Sequence, residues 1–285
     1  MKFNMPGIII MFFPAIVSFC MSGSHDIAEN YFAGYNLDTP SEKYSLPAEL
    51  FEISGVVYRQ GKIFCNQDES ADIFVFDPIQ KKIMTRYSFG IKGDFEDLAV
   101  IGTDAYVLKS NGTIVRVNGF AGNNTSILEY HTPLSSRNNA EGLAFEASSN
   151  SLLIACKGTR DIYRFSLARK ALNPDPCFSL DLENPENYLS KEIFEKYNLL
   201  KNKKPGISEF NPSALAFHPS GDLYIISSTG RLLLVLDQNF KIKGFSYLSA
   251  GFFTKPEGIT FSENGDMYIS NEGRKGPGYI VMFRE

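Results

Sequence analysis

The sequence has few of the residues that several common functions require. Its 285 residues include 3 histidines and 4 cysteines, and its formal net charge is -4 at pH 7. The chain has no excess of basic over acidic residues and therefore lacks the positive charge that DNA- and RNA-binding proteins present. This argues against nucleic acid as a partner. The cysteines have no close spacing that would indicate metal ligation. His25, His131 and His218 lie far apart in the chain, and we expect none of them to form a Ser-His-Asp triad.

The sequence also lacks a clean apolar run of about 20 residues, the length that a membrane-spanning helix needs. The run near the N-terminus, GIIIMFFPAIVSF, is shorter and contains Pro14. It predicts a signal segment over residues 1–20, followed by a short linker over 21–30. Cys20 stands where a bacterial lipoprotein carries its acylated cysteine, although Phe19 before it is larger than that pattern prefers. We therefore expect export, either to the periplasm or to the envelope as a lipoprotein whose membrane attachment is Cys20.

The rest of the chain contains one pattern five times. Each copy has an apolar run, a turn rich in Gly, Asn, Ser or Pro, a second apolar run, a polar turn and an alternating third strand. The copies begin near residues 52, 94, 139, 211 and 255. All steps between copies except the third are in the forties, a period typical of β-propeller blades. The positions that we take as equivalent are Ser54, Glu96, Glu141, Ser213 and Glu257.

The long third step predicts an insertion over about 185–208, where LSKEIFEKYNLLKNKK is typical of a short amphipathic helix. Fourth strands are indicated in KIMTRYSF, TSILEYHT, PCFSLDL and KGFSYLSA, but the last copy has no room for one. An open ring would expose a sheet edge, so the segment YFAGYNLDTPSEKYSLP is the natural donor of the missing strand. The fold prediction is an all-β, five-bladed propeller domain over residues 31–285, closed by its N-terminal segment, with six blades as the alternative.

Acidic and polar side chains recur where each first strand begins and each second strand ends. In a blade these two points lie on one face, so we expect the side chains to surround one mouth of the central channel. The glutamates at the equivalent position are Glu96, Glu141 and Glu257. The other predicted mouth-lining residues are Glu52, Ser54, Asp94, Asn139, Asn211, Ser213 and Lys255, and ends of second strands add Asp68, Glu69, Ser110, Ser227, Asn271 and Glu272.

Carboxylates that are brought together repel one another, and burial without compensation costs several kcal/mol. A calcium ion, which binds six to eight oxygen ligands with flexible geometry, is a suitable counter-charge. The sequence therefore predicts one calcium site formed by Glu96, Glu141, Glu257, Asp68 and Asn271. The alternative is that each glutamate only caps a turn or accepts backbone N–H groups between blades.

The segments EISGVVY, NQDE, GDFEDLAV, AEGLAFE and KPEGITFSENGDMYISNEG resemble the SdiA-regulated family of bacterial exported proteins. The resemblance covers roughly residues 35 to 285. It implies a five-bladed propeller, distantly related to NHL-repeat propellers, with bound calcium. It implies no particular activity.

Two functions follow as predictions. In the first, the protein is an exported, monomeric calcium-binding propeller that binds a small ligand or an envelope protein. In the second, it is a calcium-dependent hydrolase of an ester, lactone or phosphate, with Glu96, Glu141 or Glu257 as general base. We favour the first, because apart from Lys255 no additional His or Lys at the mouth is evident from the repeats.

Overall fold

The computed structural model describes residues 34–180, 191 and 209–285. The described chain forms five antiparallel sheets, and apart from the single residues Lys191 and Glu209 its helical content is two short 3-10 turns, Ala48–Leu50 and Ala147–Ser149. None of the described helices is long and apolar enough to cross a bilayer. The signal segment 1–20, the linker 21–30, Cys20, His25 and, apart from Lys191, the predicted helical insertion about 185–208 lie outside the described residues.

The strands follow the repeats of the sequence. Strand β1 is Glu42–Ser45. Blade 1 contains β2 (Ile53–Arg59), β3 (Lys62–Gln67), β4 (Ser70–Asp77) and β5 (Lys82–Ser88). Blade 2 contains β6 (Phe95–Ile101), β7 (Asp104–Lys109), β8 (Ile114–Asn118) and β9 (Ser126–Tyr130). Blade 3 contains β10 (Ala140–Glu146), β11 (Ser151–Cys156), β12 (Asp161–Ser166), β13 (Ala171–Leu172) and β14 (Phe178–Ser179). Blade 4 contains β15 (Pro212–Phe217), β16 (Leu223–Ser227), β17 (Leu232–Leu236) and β18 (Ile242–Tyr247), and blade 5 contains β19 (Pro256–Phe261), β20 (Met267–Asn271) and β21 (Tyr279–Phe283).

The five sheets form a closed ring, which confirms the predicted five-bladed propeller. The inner strands β2, β6, β10, β15 and β19 contact one another in that order, and β19 contacts β2. Buried side chains form five apolar clusters, one between each pair of neighbouring blades. Because each blade buries its apolar faces only against its neighbours, the ring must be complete for the core to be covered.

Glycines in the inner strands explain part of the repeated sequence motif. A β-carbon on Gly55 would lie 2.1 Å from Asp97 Oδ1 of the next blade. A β-carbon on Gly142 would lie 2.5 Å from the Leu215 side chain, and one on Gly258 would lie 2.5 Å from the Ser54 carbonyl oxygen. The blades therefore approach so closely at the channel that a side chain larger than hydrogen does not fit at these positions.

The N-terminal segment closes the ring as predicted. β1 pairs antiparallel with β21, so the last sheet has the order β1-β21-β20-β19. The closing strand is the EKYS part of the proposed donor segment. Tyr44 of β1 is buried between blades 5 and 1, where its ring meets Phe76 edge-on. Upstream of β1, Tyr35 and Leu37 are buried between blades 4 and 5, so the segment packs against both sides of the last blade.

The outer edge of blade 3 differs from the single strand predicted in PCFSLDL. Two short pieces, β13 and β14, pair with opposite ends of β12. Pro174 and Pro176 lie between them in the sequence. Proline has no N–H to donate to a ladder, which accounts for the interruption of the strand at this place.

Candidate functional site

Each inner strand is irregular at the same place near its start. In blade 2, Glu96 has no residue opposite it, because Phe95 and Asp97 pair with consecutive residues of β7. A bulge of this kind takes a side chain out of strict alternation and is frequent beside active sites. The residues left unpaired in the other blades are Ser54 with Gly55, Glu141, Ser213 and Glu257. The positions taken as equivalent in the sequence thus lie at the bulges of the inner strands.

The bulge residues line one polar cavity of about 180 Å³, which we call the acidic cavity. Beyond the bulges the inner strands line the channel with apolar side chains such as Leu98, Leu143 and Ile259. The lining residues of the acidic cavity are Ser54, Asp68, Glu96, Glu141, Lys157, Ser213, Lys255, Glu257 and Glu272.

Several predicted mouth residues lie around the acidic cavity but do not line it. Glu52, Asp94, Asn139 and Asn211 each precede the first residue of an inner strand. Asn139 Nδ2 donates to Glu141 Oε1 at 2.6 Å, so this residue supports a lining carboxylate. Asn211 Oδ1 accepts a hydrogen bond from Arg160 Nε at 3.0 Å.

Asn271, one of the predicted calcium ligands, is the last residue of β20. It is fully buried in the sheet, where it pairs with Pro256 and Tyr279, and it does not line the cavity. Its Oδ1 atom has no hydrogen-bond partner among the described residues. The next residue, Glu272, which was also predicted at the mouth, lines the cavity.

Two lysines neutralise part of the negative charge. Lys157 Nζ lies 2.9 and 3.0 Å from the two carboxylate oxygens of Glu141. Lys255 Nζ lies 3.3 Å from Glu257 Oε1 and donates a hydrogen bond to Glu272. Lys157 was not among the predicted residues. The sequence did contain its signal, because Lys157 directly follows β11 as Asp68 follows β3 and Glu272 follows β20.

Glu96 is the lining carboxylate with the most perturbed environment. Within the described residues its carboxylate makes no hydrogen bond and no ion pair. Burial, and next the negative charge of Glu141, raise the pKa of Glu96 from 4.5 to about 8. Burial also raises the pKa of Glu257, although Lys255 opposes the shift. A proton or another cation is therefore favoured in this part of the cavity.

Asp68 is a second carboxylate whose negative charge and hydrogen-bonding capacity are not fully satisfied by neighbouring groups. Burial, and next the charge of Glu52, raise its pKa from 3.8 to about 6. Its buried Oδ1 atom has no hydrogen-bond partner in the described chain. An unpartnered buried oxygen is costly and normally indicates a partner such as water or an ion.

The donor set fits a hard divalent cation in its chemistry. The ionisable groups of the acidic cavity are five carboxylates and two lysines, with no histidine or cysteine. Oxygen ligands of this kind favour calcium over zinc or copper. As the side chains stand, no three acidic, His or Cys groups of the described chain are gathered tightly enough to hold a metal. Binding would thus require the carboxylates now paired with Lys157 and Lys255 to turn toward a shared centre.

Comparison with known proteins agrees with this architecture. The sequence matches the SdiA-regulated family over residues 35–275, which is most of the chain. The chain belongs to the SdiA-regulated family. No curated protein matches this SdiA-regulated chain.

Solved structures share the fold of this SdiA-regulated protein at low sequence identity. Myxococcus xanthus glutaminyl cyclase has a TM-score of 0.60 at 15% identity, covering 86% of this chain and 96% of the other. A luciferin-regenerating enzyme has a TM-score of 0.52 at 11% identity, and the match covers 87% of this chain and 96% of the other. A Bacteroides thetaiotaomicron protein of unknown function has a TM-score of 0.52 at 14% identity, and the match covers 84% of this chain and 59% of the other. At these identities the likeness shows the fold alone.

Proposed function

We propose that the protein is an exported propeller module that binds calcium at its acidic cavity and, with the cation in place, binds a small ligand or an envelope protein. The observation that carries the proposal is the charge imbalance of the cavity, where five carboxylates face two lysines. The raised pKa of Glu96, caused first by burial and next by the charge of Glu141, and the unpartnered Asp68 Oδ1 support it, because a bound cation would compensate both groups. Glu96, Glu141, Glu257 and Asp68 would hold the ion.

Calcium would supply two positive charges at the centre of the mouth and an electrophilic surface for oxygen atoms of a ligand. Lys157 and Lys255 compete with the ion for Glu141 and Glu257, since an ammonium and a cation cannot occupy the same carboxylate oxygens. The module is thus expected to be stable without calcium and more rigid with it. Export and the possible lipid anchor at Cys20 are proposals that rest on the sequence alone.

The test is the thermal stability of the purified protein with calcium and with chelator, together with its metal content. Binding to the folded state alone should add about 2.7 kcal/mol to the free energy of unfolding at a calcium concentration a hundredfold above Kd. Glu96→Gln should remove most of this response, because it removes the charge of one proposed calcium ligand. The carboxylate of Glu96 has no ion pair in the described chain, so the substitution breaks no other contact of that kind. Glu263→Gln is the matched control, since Glu263 is exposed in the turn between β19 and β20 at the other end of the blade. An unchanged melting temperature and metal-free protein would contradict the proposal.

The second candidate function is hydrolysis of an ester, lactone or phosphate. One observation favours it: Glu96 is free of ion pairs and its pKa is about 8, which suits a general base or acid near neutral pH. In this role Glu96 would take a proton from an attacking water, while Lys157 and Lys255 hold the Glu141 and Glu257 carboxylates by ion pairs. A screen of generic esters, lactones and phosphates, repeated with Glu96→Gln, tests it. Activity that survives Glu96→Gln would rule out this role for Glu96.

A further inference from the structure

A second charged cavity lies on the same face as the acidic cavity, beside blades 4 and 5. Its volume is about 460 Å³, and no Asp or Glu of the described chain lines it. We call it the basic cavity. Its charged lining residues are Lys43, Arg231, Arg274 and Lys275.

Three separate segments bring these side chains together. Arg231 precedes β17 in the turn after β16, and Arg274 and Lys275 lie in the turn between β20 and β21. Lys43 belongs to β1, where it pairs with Val281 of β21. Both turns follow second strands, which end at the face of the acidic cavity. Thr254 lines the basic cavity and its neighbour Lys255 lines the acidic one, so the two cavities are adjacent but separate.

The four basic side chains have no carboxylate partner within the described residues. Lys43 Nζ lies 3.8 Å above the centre of the Tyr279 ring, a cation–π contact. Other basic residues of the propeller do pair with carboxylates, as Arg164 does with Glu146 at 2.6 Å. Four like charges therefore surround one cavity without a counter-charge, in a chain whose net charge is -4. This arrangement favours an anion.

We propose that the basic cavity binds the phosphate group of an organic phosphate. Two arginines can form paired hydrogen bonds to phosphate oxygens, and two lysines add point charges. Ser45 and Thr254 also line the cavity, and the Thr254 hydroxyl group lies 3.0 Å from Tyr279 Oη. A volume of about 460 Å³ exceeds that of a phosphate ion, so the organic part of the ligand lies there as well, beside Pro277 and Ala250.

This chemistry has two sources, a soluble phosphorylated molecule and the headgroup of an anionic phospholipid. The experiment uses one probe for each, inorganic pyrophosphate in titration calorimetry and phosphatidylglycerol vesicles in sedimentation, with phosphatidylcholine vesicles as reference. The purified full chain is used in chelator, so that calcium in the acidic cavity cannot recruit phosphate. Both measurements are made at low and at high salt.

We expect saturable binding of at least one probe that weakens at high salt, because exposed charges are screened. The double variant Arg231→Gln, Arg274→Gln should weaken it about tenfold or more, since two charge-assisted contacts are lost. Lys82→Gln, a change of an exposed lysine in β5, is the control and should bind like the unmodified chain. Pyrophosphate binding identifies a soluble ligand, and vesicle binding alone identifies the lipid headgroup.

Two results would overturn the proposal. One is the absence of saturable binding to either probe at low salt. The other is an equal loss of binding in Lys82→Gln and in the double variant, which would indicate a diffuse charge effect. The changed side chains are exposed, so circular dichroism and melting temperature should show folded protein in every case. Because chelator is present throughout, neither result depends on the calcium proposal.

Discussion

Lys157 donates hydrogen bonds to both carboxylate oxygens of Glu141, at 2.9 and 3.0 Å, across one hairpin of blade 3. The Glu141 side chain is 10% exposed, so its charge is nearly removed from water. Removing only one member of a buried ion pair leaves an uncompensated charge, and that costs more than removing both.

Lys157→Met should therefore lower the free energy of unfolding by about 3 kcal/mol in chelator, measured by urea denaturation. The double variant Lys157→Met, Glu141→Gln should regain most of the loss, because no isolated charge remains. Equal stability of the single and double variants would contradict this account of the pair.

The stability of metal-free protein should fall with rising pH because of Glu96. Its pKa is 4.5 in the reference state and about 8 in the fold, so between these values the folded state holds a proton that the unfolded chain has released. The contribution of this proton to the free energy of unfolding is fully present below about pH 4.5 and is lost as pH rises through about 8. Glu96→Gln should flatten the curve of melting temperature against pH.

Glu263→Gln serves as control for that curve and should leave its slope unchanged. Asp68, whose pKa rises from 3.8 to about 6, adds a similar loss in the lower part of the range. If the slope in Glu96→Gln equals that of the unmodified chain, Glu96 does not carry the titration.

Asp97 links blades 2 and 3, and its replacement by Asn should destabilise the propeller. Its Oδ1 accepts the N–H of Leu98 at 2.8 Å, and its Oδ2 accepts the N–H of Leu143 at 2.7 Å. An amide presents one oxygen and one N–H₂, so one backbone donor would face another donor. We expect a loss of about 2 kcal/mol in urea denaturation. Asp38→Asn, at an exposed site, should change stability by less than about 0.5 kcal/mol.

Tyr44 of the closing strand should be essential to the last blade. Its side chain is buried with Phe76 and Tyr268 between blades 5 and 1. Tyr44→Ala should cost about 3 kcal/mol, the typical loss for a buried aromatic side chain. Glu42→Ala on the exposed side of the same strand is the control. A soluble, equally stable protein lacking residues up to Ser45 would show that β1 does not close the ring.

The fold could be predicted because five copies of one strand pattern recur along the chain. In a closed ring of blades, equivalent positions of the copies lie at the same level of the central channel. That reasoning also predicted that Glu96, Glu141 and Glu257 share one cavity, and the structure places all three there. The residues two positions earlier, Glu52, Asp94, Asn139, Asn211 and Lys255, were also predicted to line this mouth, as they would in a strand of strictly alternating side chains. The bulges break the alternation, so of those earlier residues Lys255 alone lines the cavity in the described chain.

Lys157 and Asn271 show what pattern alone does not supply. The residues after β3 and β20 are acidic, so the repeat pattern does not predict a lysine that pairs with Glu141 at the corresponding place in blade 3. Asn271 is polar and ends a second strand, yet the neighbouring strands bury it completely. Which of two adjacent polar residues turns toward the channel depends on contacts between blades, and those contacts involve residues far apart in sequence.

The pairing of β1 with β21 also has a consequence for the time course of folding. β1 is the first strand of the propeller to be synthesised, and its partner β21 is the last. The backbone groups of β1 that pair with β21 therefore have no partner until the remaining strands have been made. Contacts between residues distant in sequence form slowly, because a long loop of chain must first close. Closure of the ring is therefore expected to be the slow step, and partly made chains to be the form most prone to aggregate.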